Sequence, residues 1–197
     1  MVDQQTLKNN LLRNVAFDYL YKTHRSDEMS DSFLALYQDL SNHPEHLAEI
    51  QGVYDGIKQL QFGQPLPAIQ VYAMDDQKMS FPQIAKGKHA LFYFWSGRQL
   101  GHFKNVSRQV DSLKAKRPDW IFVGVNLATP KNDWKSIIRK TRVDSTHQYR
   151  IHDSGEIRHL LHDLNQCIIA KDTIILNGFA RLKKIHSLEN TEELASQ

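Results

Sequence analysis

The chain has 197 residues, of which 41% are hydrophobic, 10% aromatic and 24% charged, enough apolar material for one ordinary domain plus an extra element, or for two small ones. A net charge of +3, without a basic run interleaved with aromatics, carries no nucleic-acid signature. The single cysteine, Cys167, rules out an intrachain disulfide, a Cys-x-x-Cys pair and a thiolate metal site, and no stretch approaches the ~20 apolar residues that cross a bilayer.

The first sixty residues read as helical. Leu7, Leu11, Leu12, Val15, Ala16, Tyr19 and Leu20 recur at helical spacing and predict one apolar stripe. A second helix follows Ser30, with Phe33, Leu34, Tyr37 and Leu40 on its inner side. A third begins near Pro44, which suits a first helical turn, and carries Leu47, Ile50, Tyr54 and Ile57. The stretch Phe62-Gly63-Gln64-Pro65-Leu66-Pro67 is extended by its prolines.

Beyond Pro67 strands and helices alternate. Strands are predicted over 68–74, 89–95 and 120–127, the last two apolar enough to be buried on both faces. One helical turn at 82–85 is broken by Gly87. Phe103, Val106, Val110 and Leu113 mark a helix that stops at Arg117-Pro118, and Asn132 caps another bearing Trp134, Ile137 and Ile138. A further helix is expected over 156–163. Asn177-Gly178 then predicts a hairpin joining 172–176 to 179–185, and a helix closes the chain after Ser187. Interleaved helices imply parallel pairing and the hairpin adds antiparallel pairing, so the expected architecture is a mixed central sheet with helices on both faces.

The opening MVDQQTLKNNLLRN lacks the basic-then-apolar layout of a signal peptide. The expectation is a processed chain or a piece of a longer polypeptide. A chain without disulfides fits either side of a membrane.

Four segments, GQPLPAIQVYAMDD at 63–76, FPQIAKGKHALFYFW at 81–95, WIFVGVNLATPKNDWKSII at 120–138 and the terminal hairpin, resemble in order and spacing the thioredoxin superfamily. The likeness is narrower to its TlpA/ResA-like, AhpC/TSA-related branch of bacterial envelope thiol–disulfide oxidoreductases. It implies a thioredoxin-like three-layer α/β/α domain over 63–197, preceded by a helical extension over 1–62. In that family the attacking cysteine stands at the start of the helix after Phe-Trp, where the helix end lowers its pKa, and a second cysteine three residues on resolves the mixed disulfide. Alignment on Phe94-Trp95 puts Gln99 and His102 in those places, with Leu100 and Gly101 between them. Trp95 precedes the site. The family's cis-proline falls at Lys171 or Asp172, and no acidic residue lies in either buried strand to shuttle protons.

The resemblance therefore implies a redox-inactive member. No cofactor or metal is expected, and the partner is a protein or peptide held without covalent chemistry, in the bacterial cell envelope or periplasm. Arg98 and His102 flank the helix start and are the candidates for anion or partner binding; the alternative, which the residues favour, is a solvated Arg98 and a His102 that packs in the place of a resolving cysteine. Cys167 reads as a buried structural residue, with a reactive single thiol, or pairing with a cysteine-bearing partner, as the alternative. His159 and His162 have a spacing that can reach one metal, but further ligands cannot be nominated. A second alternative is a structural fragment of a larger protein. Charge is also segregated: residues 26–57 hold seven acids and no Lys or Arg, whereas 98–117 hold six basic residues against Asp111, a pattern that reads either as docking the helical arm onto the domain or orienting a partner, or as two solvated faces of opposite sign.

Overall fold

The computed structural model describes residues 3–151, 155 and 157–185. It divides into two compact units, Met1–Gln59 and Leu60–Gln197. The first holds three helices, α1 (Gln4–Thr23), α2 (Glu28–Leu40) and α3 (Pro44–Gln59). Asp27 caps α2 by accepting from the Ser30 N–H at 3.1 Å, and Glu28 and Asp31 in the first turn suit the positive helix end. Ala16, Leu20, Leu34, Tyr37, Ile50, Val53, Tyr54 and Ile57 are buried. Arg13 grips Glu49 with two charge-assisted bonds of 2.6 and 2.7 Å, which ties α1 to α3.

The expected stripe on α1 is split. Leu7, Leu11 and Val15 are more than half exposed, on the far side of the helix from Asn9, Ala16 and Leu20, which are buried. The helix carries apolar residues on two sides, and spacing alone merges them into one face. On α2, Leu40 likewise lies outside, together with Met29 and Leu36.

The second unit is a seven-stranded sheet in the order β2-β1-β5-β4-β3-β6-β7. Its strands are β1 (Gln70–Tyr72), β2 (Lys78–Ser80), β3 (His89–Trp95), β4 (Trp120–Asn126), β5 (Gln148–Ile151), β6 (Gln166–Lys171) and β7 (Ile174–Arg181). β3 pairs parallel to β4, and β4 to β5; the remaining pairs are antiparallel. Helices α5 (Leu100–Lys116) and α6 (Lys131–Thr141) and the short α7 (Leu182–Ile185) cover one face, packing on Leu91, Tyr93, Trp95 and Phe122. The other face buries Phe92, Phe94, Val123 and Val125 against the short α4 (Phe81–Ala85) and the turns carrying Ile157 and Leu160. This is a three-layer α/β/α arrangement around a mixed sheet.

Several elements differ from expectation. Residues 157–164 form turns in place of a helix; Glu156 and the predicted C-terminal helix lie outside the described residues. The short strands β2 and β5 have too few residues to show a period. Pro130, and not Asn132, precedes α6. The hairpin is shifted: β6 and β7 turn at Asp172-Thr173, whose φ values of 45° and 74° suit a tight two-residue turn, while Asn177-Gly178 lies inside β7. Asp172 is held there because its carboxylate accepts from the Gly87 N–H at 2.7 Å and its own N–H reaches the Lys88 carbonyl at 2.9 Å. Gly178 serves a different purpose from a turn. Leu60 passes so close that a Cβ at 178 would run into its backbone, which is the other common meaning of a glycine within a strand.

Two substitutions test this reassignment in denaturant unfolding. Gly178→Ala is expected to destabilise by about 1–3 kcal/mol, the usual range for forced overpacking. Thr173→Gly is expected to stabilise by about 1 kcal/mol, because a β-branched residue is relieved of a positive φ. Were 177–178 the turn, Thr173→Gly would not stabilise, whereas Gly178→Ala would cost stability in either case.

Candidate functional site

β3 and β4 run in register, with Trp95 opposite Asn126, so the loops that leave both strands emerge at one edge of the sheet. They are stitched together there. The Leu127 N–H donates to the Trp95 carbonyl at 2.8 Å, and the Gly97 N–H donates to Thr129 Oγ1 at 2.9 Å. Gly97 has no room for a side chain, since a Cβ would stand 2.8 Å from Thr129 Cγ2 and 3.1 Å from Ile137. After this tight loop Gln99 caps α5 without a side-chain hydrogen bond of its own.

The predicted positions fall into three groups. Arg98, Gln99, Leu100 and Gly101 are exposed on the loop and first turn of α5. Trp95 is fully buried and stacks on Phe103 at 3.9 Å between ring centroids, so it supports α5 and offers nothing to a ligand. His102 is half-buried, with both ring nitrogens covered and making no hydrogen bond among the described residues; it packs as a ring.

Lys171 and Asp172 do not join this group. Lys171 pairs with His89 at the opposite end of β3 from Trp95, roughly 20 Å away at the rise of a strand. The mistaken hairpin turn carried them there. The segment that does precede β6 at the helix end is Leu164-Asn165, because Cys167 stands opposite Tyr93. It is anchored by Gln166, a buried side chain that donates to the carbonyls of Leu160 and Gly178 at 3.0 and 2.8 Å and accepts from the His162 N–H. Asp163 adds a two-pronged pair with Arg181, at 2.7 and 2.8 Å, and this holds its carboxyl below the usual range against the opposing effect of burial. Nothing in spacing or composition singled out Gln166 or Leu164.

Two clefts flank the edge. One, of about 560 Å³, is polar and is lined by Gly97, Arg98, Thr129, Asp133, Ser136 and Lys140. His102 is not among its walls. An exposed charge near a helix end contributes only about 0.3–1 kcal/mol, too little for Arg98 alone to define a ligand. The other cleft, of about 280 Å³, is mostly apolar, with Leu127, Ile157, Leu161 and Leu164 in its walls and Arg158 at its side.

Cys167 is buried, 1% exposed, and its thiol donates weakly to the Asn165 carbonyl at 3.8 Å. Burial pushes its pKa up to about 12, so at neutral pH the thiol is protonated and a poor nucleophile. Tyr93, one pleat below Trp95 and also buried, has its phenol pKa raised by desolvation and accepts from Gln148 Nε2 at 2.6 Å. The pair lies across Gly124, where a Cβ would meet both side chains. No cluster of three or more metal-ligating side chains occurs among the described residues, and His162 lies 3.9 Å from Asp163.

No protein-family model matches the chain and no curated protein matches it. Solved structures do. The thioredoxin domain of a thiol-disulfide oxidoreductase from Bacteroides vulgatus aligns with a TM-score of 0.52 at 19% identity, over 66% of this chain and 99% of that one. A domain of a possible thiol-disulfide isomerase from Cytophaga hutchinsonii gives 0.54 at 16%, over 65% and 90%. Likeness at this identity establishes the fold alone. The fold is thioredoxin-like.

Burial makes a direct prediction for the thiol. A disulfide reagent such as dithiobis-nitrobenzoate is expected to leave Cys167 unmodified in the native chain and to modify it fully in guanidinium chloride. Rapid labelling of the native chain would show instead that the thiol is accessible.

Proposed function

We propose that this chain is a redox-inactive thioredoxin-like domain, spanning 63–197 behind a helical extension of 1–62, that binds a protein or peptide partner without covalent chemistry in the bacterial cell envelope. The observation that carries this reading is the pairing of an intact groove with an absent nucleophile. Gln99 caps α5 and His102 lies in its first turn, the positions at which the resemblance puts a dithiol, and an amide and a covered imidazole cannot attack a disulfide. The remaining sulfur is buried and protonated. The apolar cleft at this end of the sheet is lined by Leu127, Leu161 and Leu164, and Leu100, in the first turn of α5, is 43% accessible.

A partner strand laid across this edge would seat an apolar side chain in the Leu127–Leu164 cleft and cover Gln99 and Leu100. Burying one such side chain contributes about 1.5–3 kcal/mol, so several contacts are needed for micromolar binding, near −8 kcal/mol. The compartment follows from the family resemblance and not from the geometry.

A second reading has its own support. The exposed Leu7, Leu11 and Val15 on α1 and Met29 and Leu36 on α2 leave the helical unit with apolar faces of the kind that mark contact with another polypeptide. That favours a scaffold segment of a larger protein, and it is compatible with a binding domain behind it.

Panning a random peptide library against the intact chain tests the first reading. Enriched peptides are expected to carry an apolar anchor and to lose about tenfold or more in affinity, by calorimetry, when Leu164→Arg or Gln99→Trp is introduced. Peptides whose binding ignores both substitutions would place the binding surface elsewhere.

A further inference from the structure

Residues 98–144, which form α5, β4, α6 and their connecting loops, hold eleven Lys and Arg against four Asp, a net +7, while 26–57 are net −7. On a chain of net +3 this is strong segregation, and the structure concentrates it further. Seven of the cations, Arg98, Lys104, Arg108, Lys116, Arg139, Lys140 and Arg142, are exposed and make no ion pair among the described residues. The pairs formed in this region are Lys114 with Asp144 at 3.1 Å, and Lys131 and Lys135 with Asp76 at 2.9 Å each.

Five of the seven are gathered along one track. Arg98 and Lys140 both line the polar cleft beside the start of α5, and Lys104, Arg108 and Arg142 line a second cleft of about 240 Å³ between α5 and the end of α6. Asp133 sits in the first cleft, and Asp111 and Asp144 in the second, so the track is basic on balance and not uniformly. Ile137 and Val143, both half-buried, give it an apolar floor.

The complementary surface is in the same molecule type. The outward face of α2 exposes Met29, Leu36 and Leu40 beside exposed Glu28 and Asp39, which is an acidic and apolar helix face. Neither acid makes an ion pair among the described residues. A basic groove with apolar residues in its walls complements such a helix face, as potentials of opposite sign steer the encounter and fix its register. No exposed aromatic lines the track to stack a base, which argues against a nucleic-acid occupant.

We infer that the α5–α6 groove docks the outward face of α2 from a second copy of this chain, in a heterologous, salt-sensitive contact. The two surfaces differ, so the contact is head-to-tail and not self-complementary. It is independent of the peptide groove: it uses neither Gln99 nor the Leu127–Leu164 cleft.

The test is sedimentation of the intact chain at ~20 mM and ~500 mM NaCl, across which surface electrostatics are largely screened. Self-association is expected at low salt, weakening about tenfold or more at high salt. Two charge-reversed variants are compared, Lys104→Glu with Arg108→Glu in the groove, and Glu28→Lys with Asp39→Lys on α2. Each is expected to be monomeric and, by circular dichroism, folded, because all four side chains are exposed. Their equimolar mixture is expected to associate again, since each then offers the other a complementary surface. A native chain that stays monomeric at low salt, or a mixture that fails to associate, overturns the inference. So does low-salt binding of a DNA duplex tighter than self-association, which would assign the basic track to nucleic acid.

Discussion

The parallel pairing of β3 with β4, buried on both faces, is the constraint on which the rest of the second unit depends. Seven residues of β3 meet seven of β4 without a break in register, and six of those seven in β3 are fully covered. Parallel strands need a crossover between them, so α5 lies on the sheet between their ends. The same register delivers both outgoing loops to one edge, where Gly97 and Thr129 lock them. An edge built in this way presents the start of a helix and two strand-end loops together, whatever side chains they carry. The groove is thus a product of topology, and the chemistry within it is a separate choice.

That separation lets the proposed site keep its shape whatever side chains stand at the helix start. Trp95 stacks on Phe103 and Gly97 makes room for Thr129, and neither interaction involves the helix-start positions. Gln99, exposed at the cap of α5, is free to vary with little cost to the fold, whereas the half-buried His102 ring contributes packing. The remaining thiol has gone the other way. Cys167 sits in β6 facing the side covered by α5 and α7, among Leu182, Ile169 and Trp95, where burial suppresses ionisation. Placement, more than residue type, decides that it packs.

The long, fully buried strands were legible in the sequence because an unbroken apolar run between turn signals has few other meanings. His89–Trp95 and Trp120–Asn126 were found that way, as was α5, whose four buried residues keep helical spacing. With those came Gln99 and His102, since they follow Trp95 at fixed distance. What escaped depended on contacts distant in sequence. Asp172-Thr173 is a turn because Gly87 and Lys88, some 85 residues earlier, hold it, and no local pattern competes with Asn-Gly. Moving the turn by five residues moved Lys171 and Asp172 from one end of the sheet to the other. Gln166 was invisible for the same reason: its three partners come from β7 and the turns before β6. On α1, two apolar sides read as one because periodicity reports amphipathicity but not which side finds a neighbour.

The central claim of the proposed function is that the helix start after Trp95 stands where a dithiol site would stand and carries no thiol. The most direct measurement is turbidimetric insulin reduction with dithiothreitol, comparing the native chain with a Gln99→Cys/His102→Cys variant. The account predicts a native chain at background rate and a variant clearly above it, through a new pair at the cap and first turn of α5. A native chain that reduces insulin above background would contradict it, and would direct attention to Cys167 as the reacting group.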